Sequence, residues 1–352
     1  MPNWLDSMEQ TYEYYTVDPK TWRDVARLRN VTGSTLERDA DAESLGSASI
    51  SMTELIGECY VRVYLVTVQN GIRERTVLGT YLLQSPSSDF DGKIREITAD
   101  GYTPLIELKD NLPPLGYSAL KGDNVMDIVY RTTQENVRAP VVKAVCYTTL
   151  FDDFVANADD TWLSFNTDLM TNAKYKYSLD EMGRILFAPD QDTSSLQPVW
   201  TYTDDNSSIL LPSLAMQHDL FGIPNVVEVV YSSDTREMRA TAVNDDPNSP
   251  ISTVNRGRVV KRRITDPSLF GSPTQSQIDE YAERLLRELS SVEYTITYTH
   301  GYCPVRLGDC VRLDYAKAGL TNIKAKVIRQ SISCVSGCTV SETAVFNTKL
   351  WR

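Results

Sequence analysis

The sequence has 352 residues, a formal net charge of −12, 41% hydrophobic residues and 23% charged residues. That length allows two or three domains with separate cores, and the composition is that of an ordinary globular protein. The acidity serves solubility and excludes a dedicated nucleic-acid binder, which would carry a basic face.

No apolar run reaches the roughly 18 residues of a membrane-spanning helix. The opening Met1-Pro2-Asn3-Trp4-Leu5-Asp6 has neither a charged nor an apolar leader pattern, so the chain is expected to be made and kept in a cytoplasm. Six cysteines are too sparse for a disulfide scaffold. Nineteen tyrosines against eight phenylalanines suit β surfaces and subunit interfaces, where the ring is buried and the hydroxyl stays wet.

Residues 1 to 22 form a polar, aromatic arm with Trp4, Tyr12, Tyr14, Tyr15 and Trp22, broken by Asp18-Pro19. It packs either on its own domain or on a neighbour. Trp22 to Arg29 reads equally as a helical turn or a strand. From Val31 the pattern is β: Val31 to Leu36, an acidic connection from Asp39 to Ser47, Ala48 to Met52, and a strong alternation from Tyr60 to Val66. Asn70-Gly71 predicts a tight hairpin, because both residues accept positive φ. Arg73 to Gln84 is the partner strand, and Ile94 to Tyr102 another. Short strands at this spacing predict a small barrel or sandwich.

Asn111-Leu112-Pro113-Pro114-Leu115-Gly116 ends regular structure and marks a domain boundary. Asp123 is then the predicted N-cap of a helix burying Val125, Ile128, Val129 and Thr132. Val141 to Tyr147 has strand length. A second helix, capped at the end of the acidic loop 156–160, buries Trp162, Phe165, Leu169 and Met170. Tyr175 to Leu179 and Arg184 to Phe187 make a hairpin around Asp180-Glu181-Met182-Gly183. Two helices on a small sheet make this domain α+β.

Gln191 to Leu210 is polar and predicted as a loop. Val226 to Tyr231 and Arg239 to Val243 are strands joined by a turn at 234–236, with a turn cluster over 244–249. Arg258 to Ile264 is a further strand, and Asp266-Pro267 leads to a helix. Thr274 and Gln277 have capping-box spacing, and Ile278, Tyr281, Ala282, Leu285, Leu286 and Leu289 form one apolar stripe. At Ser290 the period changes to two. Strands over 292–299, 310–315, 323–334 and 339–346 follow, interrupted by a Leu307-Gly308-Asp309 corner, Gly319 and a Ser336-Gly337 turn. The expected partition is 1–110, an arm with a β-barrel-like domain; 111–217, an α+β domain; and 218–352, a second β-barrel-like domain with the long helix 274–290 inserted before its C-terminal strand meander. The two β parts share no sequence similarity.

This order of parts resembles the phage tail baseplate hub family, found in contractile and long non-contractile tails. Pro304, Gly308, Asp309 and Val311 match the family's corner motif, Leu78-Gly79-Thr80-Tyr81 its hairpin motif, and Tyr175, Tyr177, Asp180, Gly183, Phe187 and Pro189 the middle-domain motif. Ile223-Pro224-Asn225 matches the segment entering its second barrel. The resemblance spans residues 30 to 350. It implies a non-enzymatic homotrimeric ring at the tail tip, in the virion, assembled in the host cytoplasm. Such a ring adapts a six-fold tail tube, or the distal tail protein, to a three-fold spike or fibre protein. It encloses a channel for the tape measure protein and for DNA, which passes without specific binding. The resemblance implies no cofactor and no membrane segment, and it assigns Gly308 and Asp309 to the structural corner.

Independent chemistry is sparse. His218 and His300 are the only histidines, which leaves a triad or a His-rich metal site hard to build, and no phosphate-loop, dinucleotide or hydrolase motif is present. No catalytic, cofactor-binding or metal residue is assigned. Cys303, Cys310, Cys334 and Cys338 flank two turns, and a zinc site, a disulfide or plain thiols all fit them. Asp152/Asp153 and Asp159/Asp160 are carboxylate pairs, which leave open a tail-tip cell-wall hydrolase, but both sit in loops beside helix starts, where carboxylates suit the helix dipole. Arg256, Arg258, Lys261, Arg262 and Arg263 form the one strong basic cluster. On a strand, Arg256, Arg258 and Arg262 share a face, and the cluster is either a solvated face or a docking surface for an acidic partner or a second copy. A receptor- or carbohydrate-binding tail protein is the remaining alternative.

Overall fold

The structure, a computed structural model, describes residues 2–54, 56–90, 92–93, 95–205, 208–233, 236–265 and 273–351. The fold is mixed β and α+β, as the sequence predicts. The expected turn residues 234–235, Ile94 and Asp266-Pro267 lie outside the described residues. Contacts group the chain into two units, Met1–Leu214 with Thr297–Ala344, and Ala215–Ile296 with Val345–Arg352.

In the first unit, β1 (Glu9–Val17), β2 (Asp24–Leu28), β3 (Val31–Asp39), β4 (Gly46–Met52), β5 (Cys59–Gln69), β6 (Ile72–Phe90) and β7 (Arg95–Tyr102) share one sheet, in the order β3–β4–β7–β6–β5–β1–β2. The arm therefore docks on its own chain, with Tyr14 opposite Val63 of β5, and Trp22 to Arg29 contributes a strand. Asn70 and Gly71 take the left-handed conformation and join Gln69 to Ile72, as their side chains allow. β5 is buried along most of its length.

Next come α1 (Ile106–Lys109), β8 (Ser118–Ala119), α2 (Val125–Asn136), β9 (Phe154–Val155), α3 (Trp162–Asn172), and the hairpin β10 (Tyr175–Leu179) with β11 (Ile185–Pro189). The buried helix faces are those predicted, but both caps shift by one residue. Asn124, not Asp123, caps α2 by accepting from the Asp127 N–H, while its amide donates to the Cys146 carbonyl. Thr161 caps α3 in a box with Ser164, and Asp160 instead accepts from the Asn157 N–H. Val141 to Tyr147 is extended but joins no ladder beyond a bridge from Val141 to Ile185.

The polar loop expected over 191–210 contains β12 (Pro198–Thr203). Its Trp200-Thr201-Tyr202 core pairs in parallel with a strand more than a hundred residues away, β18 below, a long-range context that overrides its polar local sequence. β13 (Leu210–His218) crosses the unit boundary.

In the second unit, β14 (Val226–Ser233) lies between β15 (Arg236–Val243) and β16 (Lys261–Ile264), and α4 (Thr253–Arg256) precedes β16. The helix α5 (Gln275–Leu289) starts at the predicted Thr274/Gln277 box. It buries Ile278, Ala282 and Leu286 against Val227, Val229, Ala240 and Ala242. The strand expected over 258–264 is shorter, because Arg256 ends α4 and Gly257 takes the left-handed conformation.

The chain closes with β17 (Ser291–Gly301), β18 (Cys310–Tyr315), β19 (Leu320–Ser333) and β20 (Thr339–Lys349). In the first unit β19 pairs with both β18 and β3, Ile332 lying opposite Leu36. C-terminal and N-terminal strands thus share a sheet, and Tyr302, Ile332, Cys334, Cys338 and Val340 join Leu36, Ile50 and Val63 in one core.

Candidate functional site

A cleft of about 330 Å³ in the first unit is lined by Leu78-Gly79-Thr80-Tyr81 of β6, by Asp180, Glu181 and Gly183 of the β10–β11 turn, and by Leu307-Gly308-Asp309 before β18. Three motifs far apart in sequence thus meet around one cleft. The hydrogen bonds show what they do there. Thr80 Oγ1 donates to the Glu181 carbonyl at 3.1 Å and accepts from Arg62 Nε at 3.0 Å. The Arg62 guanidinium, wholly buried, also binds Asp24 at 2.6 Å and the Met182 carbonyl at 3.3 Å. Trp22 Nε1 donates to the same carbonyl at 2.7 Å. Glu181 in turn pairs with Arg306 at 2.7 Å, beside the corner.

Glycine is required at two points of this joint. Gly183, at φ +75, lies where a Cβ would come within 2.8 Å of Thr80 Cβ, so only hydrogen lets the turn seat on β6. Gly308, at φ +83, faces open space and needs glycine for its backbone alone. The corner is tied to β19 by Gly308 N–H to the Val327 carbonyl and Val327 N–H to the Asp309 carbonyl, while Asp309 Oδ2 accepts from the Arg306 N–H. Burial raises the Asp309 pKa. Gly308 and Asp309 thus tie this corner to β19, and Thr80, Glu181 and Arg306 tie neighbouring segments to one another.

A second polar site lies in the core behind β17. Glu342 Oε1 accepts from Tyr298 OH at 2.5 Å and from Tyr202 OH at 3.4 Å, and Oε2 accepts from Gln330 Nε2 at 2.6 Å. His300 Nε2 lies 3.5 Å from Glu342 Oε2, and His300 Nδ1 is 2.7 Å from the Gly301 carbonyl. Burial pulls the His300 pKa down, but its bonds to Cys303 and Glu342 prevail and raise it to about 10. Burial and the Glu342 charge both raise the pKa values of Tyr202 and Tyr298. His300 is therefore a buried imidazolium closing an ion pair with Glu342. Cys303 Sγ is 3.9 Å from His300 Nδ1, but His300 and Glu342 are fully buried and Cys303 nearly so, so no substrate reaches them. His218 stacks on Tyr294 at 4.7 Å.

All six cysteines are free thiols. Burial raises the Cys334 pKa to about 12 and that of Cys338 to about 11, and it raises Cys310 as well. Among the described residues no group of three or more His, Cys, Asp or Glu is placed to hold a metal ion. The carboxylate pairs tie loops: Asp153 accepts from the Lys121 N–H and Asp160 from the Asn157 N–H.

The basic cluster is divided by the structure. Arg256 is not on a strand with Arg258 and Arg262; it ends α4, and its guanidinium donates to the Ile223 and Leu220 carbonyls. Lys261 and Arg263 flank Glu228, at 3.9 and 2.8 Å, and the Arg263 hydrogen bond foremost lowers the Glu228 pKa. Arg258 and Arg262 pair with no carboxylate among the described residues. Sequence reasoning missed Arg62, Trp22, Tyr202 and Glu342. Only Arg62 left a signal, a charge inside the otherwise apolar run Tyr60 to Val66.

No family model matches the chain, and no curated protein does. Solved structures do. It is similar over 96% of both chains to a tail protein from Neisseria meningitidis MC58, with 14% identity and a TM-score of 0.63. It is similar to the 43 kDa tail protein of prophage MuSo2 from Shewanella oneidensis, over 96% of this chain and 98% of that one, with 12% identity and a TM-score of 0.61. A Francisella PdpA–VgrG complex matches 98% of this chain with 58% of its own, at 9% identity and a TM-score of 0.57. With its three motif segments joined at one cleft, the chain is built on the fold of the phage tail proteins, the fold that its resemblance to the baseplate hub family implies.

Proposed function

We propose that this chain is a structural subunit of a phage tail baseplate hub. The observation that carries the reading is the full-length likeness to tail proteins, 96% of each chain in the first case, together with the joining of three motif segments by hydrogen bonds rather than around a reactive group. A fold alone hosts many functions, so the mechanism rests on geometry. In this reading the N-terminal and C-terminal β parts of each chain serve as two quasi-equivalent modules, so that three chains present six. Such a ring seats on a six-fold tail tube and offers a three-fold platform to a spike or fibre protein. Its channel passes the tape measure protein and DNA, and the net charge of −12 permits walls that repel phosphates.

The joint at Arg62, Thr80, Glu181 and Met182 gives this reading its mechanical content. A hub transmits load between tube and spike, and buried, multiply bonded groups between blocks resist shear better than exposed ion pairs. The test is to assemble tails with a gold-labelled copy of the chain. Label confined to the distal end of the tube is the expected result; label along the tube or out on the fibres overturns the proposal.

A further inference from the structure

Two surface patches, one in each unit, are apolar and opposite in charge. The first follows α2. Tyr147 and Phe151 are each 89% exposed, Val145 73% and Leu120 57%. The segment is held from behind: Val125 N–H bonds to the Thr148 carbonyl, Leu150 N–H to the Asp123 carbonyl, and Gly122 N–H to the Leu150 carbonyl. Lys121 lies 5.4 Å from the Phe151 ring centroid and its N–H donates to Asp153, and Asp123, Asp152 and Asp153, close by in sequence, are exposed. The patch is an aromatic ridge with an acidic rim.

The second patch surrounds Arg256. Its guanidinium ties the 220–223 loop, which carries Phe221, 89% exposed, to the end of α4, and Val254 of α4 and Val259 just after it in sequence are each 61% exposed. Arg258 and Arg262 are exposed near it, and with Lys261 and Arg263 they outnumber the two carboxylates there, Glu228 and Asp219, which accepts from the Phe221 N–H. This patch is apolar with a basic rim.

We propose that these patches meet between copies: the acidic ridge over Tyr147 and Phe151 of one chain packs on the basic patch over Phe221, Val254 and Val259 of the next. An aromatic ring left in water forfeits the gain of burial, and an apolar centre with a charged rim is the anatomy of a protein interface. The two patches differ, so the contact is heterologous. In such a contact each chain uses one patch toward one neighbour and the other patch toward the next, which generates a ring when the rotation closes. Opposite rim charges speed encounter and disfavour like-to-like pairing. The inference rests on the ring reading above and names the surfaces that close the ring.

The test is charge reversal, read by native mass spectrometry and analytical ultracentrifugation on the full chain. Arg258→Glu with Arg262→Glu, or Asp152→Lys with Asp153→Lys, is expected to raise the subunit dissociation constant at least tenfold. Combining all four substitutions is expected to restore assembly to within about threefold of the unaltered chain. Circular dichroism and the melting midpoint check that each variant is folded; all four positions are exposed. Truncating the ridge, with Tyr147→Ser and Phe151→Ser, is expected to dissociate the ring without salt dependence. A wild-type ring indifferent to both reversals and to the truncation overturns these surfaces and leaves the ring reading intact. A wild-type monomer overturns both.

Discussion

The interiors of the two units solve burial differently. In the second unit the core between α5 and its sheet is aliphatic, Val227, Val229, Ala240, Ala242, Ile278, Ala282 and Leu286, and its buried polar groups are neutral Asn and Ser side chains such as Asn225, Asn244 and Ser252. The first unit buries charge. Arg62, Glu13, His300 and Glu342 are all there, each answered by partners from other elements: Glu13 takes Arg27, Arg73 and Arg75 at 2.9, 2.7 and 3.2 Å. An aliphatic core tolerates repacking. A buried charge tolerates one arrangement only, because an unpaired ion in the core costs several kcal/mol. The first unit is thus the part whose segments are locked to one another, which suits a load-bearing subunit.

The sharpest way to break this contrast is Glu342→Ala. It removes the partner of a buried imidazolium and of Tyr202, Tyr298 and Gln330, and should lower unfolding stability by about 3–5 kcal/mol, measured by urea titration. Leu286→Ala, in the aliphatic core, should cost about 2–5 kcal/mol through its cavity, with no dependence on pH. The pH dependence separates the two interiors further. The folded-state pKa of His300 is about 10, above its ordinary 6.5, so the unfolded chain releases that proton first. The imidazolium's contribution is complete below pH 6.5 and is lost as pH rises toward 10. Stability should therefore fall across that window, and His300→Gln should flatten the slope while Leu286→Ala keeps it.

The glycines give a smaller contrast inside the joint. Gly183→Ala carries the left-handed penalty, about 1–2 kcal/mol, plus a steric clash with Thr80 of about 1–3 kcal/mol. Gly308→Ala meets open space and should cost only about 1–2 kcal/mol. Equal costs, measured by thermal melting, would show that the β10–β11 turn does not seat on β6. The smallest effect is that of Thr274→Ala, which removes the capping box of α5 and should cost about 1 kcal/mol.

The same contrast explains what the sequence discloses. Local rules reach α5, because Thr274, Gln277 and a stripe at helical spacing lie within one segment. They reach the Asn70-Gly71 hairpin and the β10–β11 pairing for the same reason. They miss β12, whose partner is β18, and they misplace the caps of α2 and α3 by a residue because Asp123-Asn124 and Asp160-Thr161 each offer two capping side chains. They also misread Arg256, where the backbone turns at Gly257 before the strand begins. The buried charges leave almost no local trace: Glu342 is one acidic residue in an alternating strand, and nothing near it in sequence says that Tyr202 and His300 arrive beside it. The family motifs at Thr80, Gly183 and Gly308 are legible as residues, but that they line one cleft follows only from the fold.

The central claim, a subunit that closes a three-membered ring, is tested most directly by the mass of the native assembly of the full chain, purified alone and measured at micromolar concentration. A mass of three 39.6 kDa chains is the expected result. A species that stays monomeric at every concentration and salt strength contradicts it.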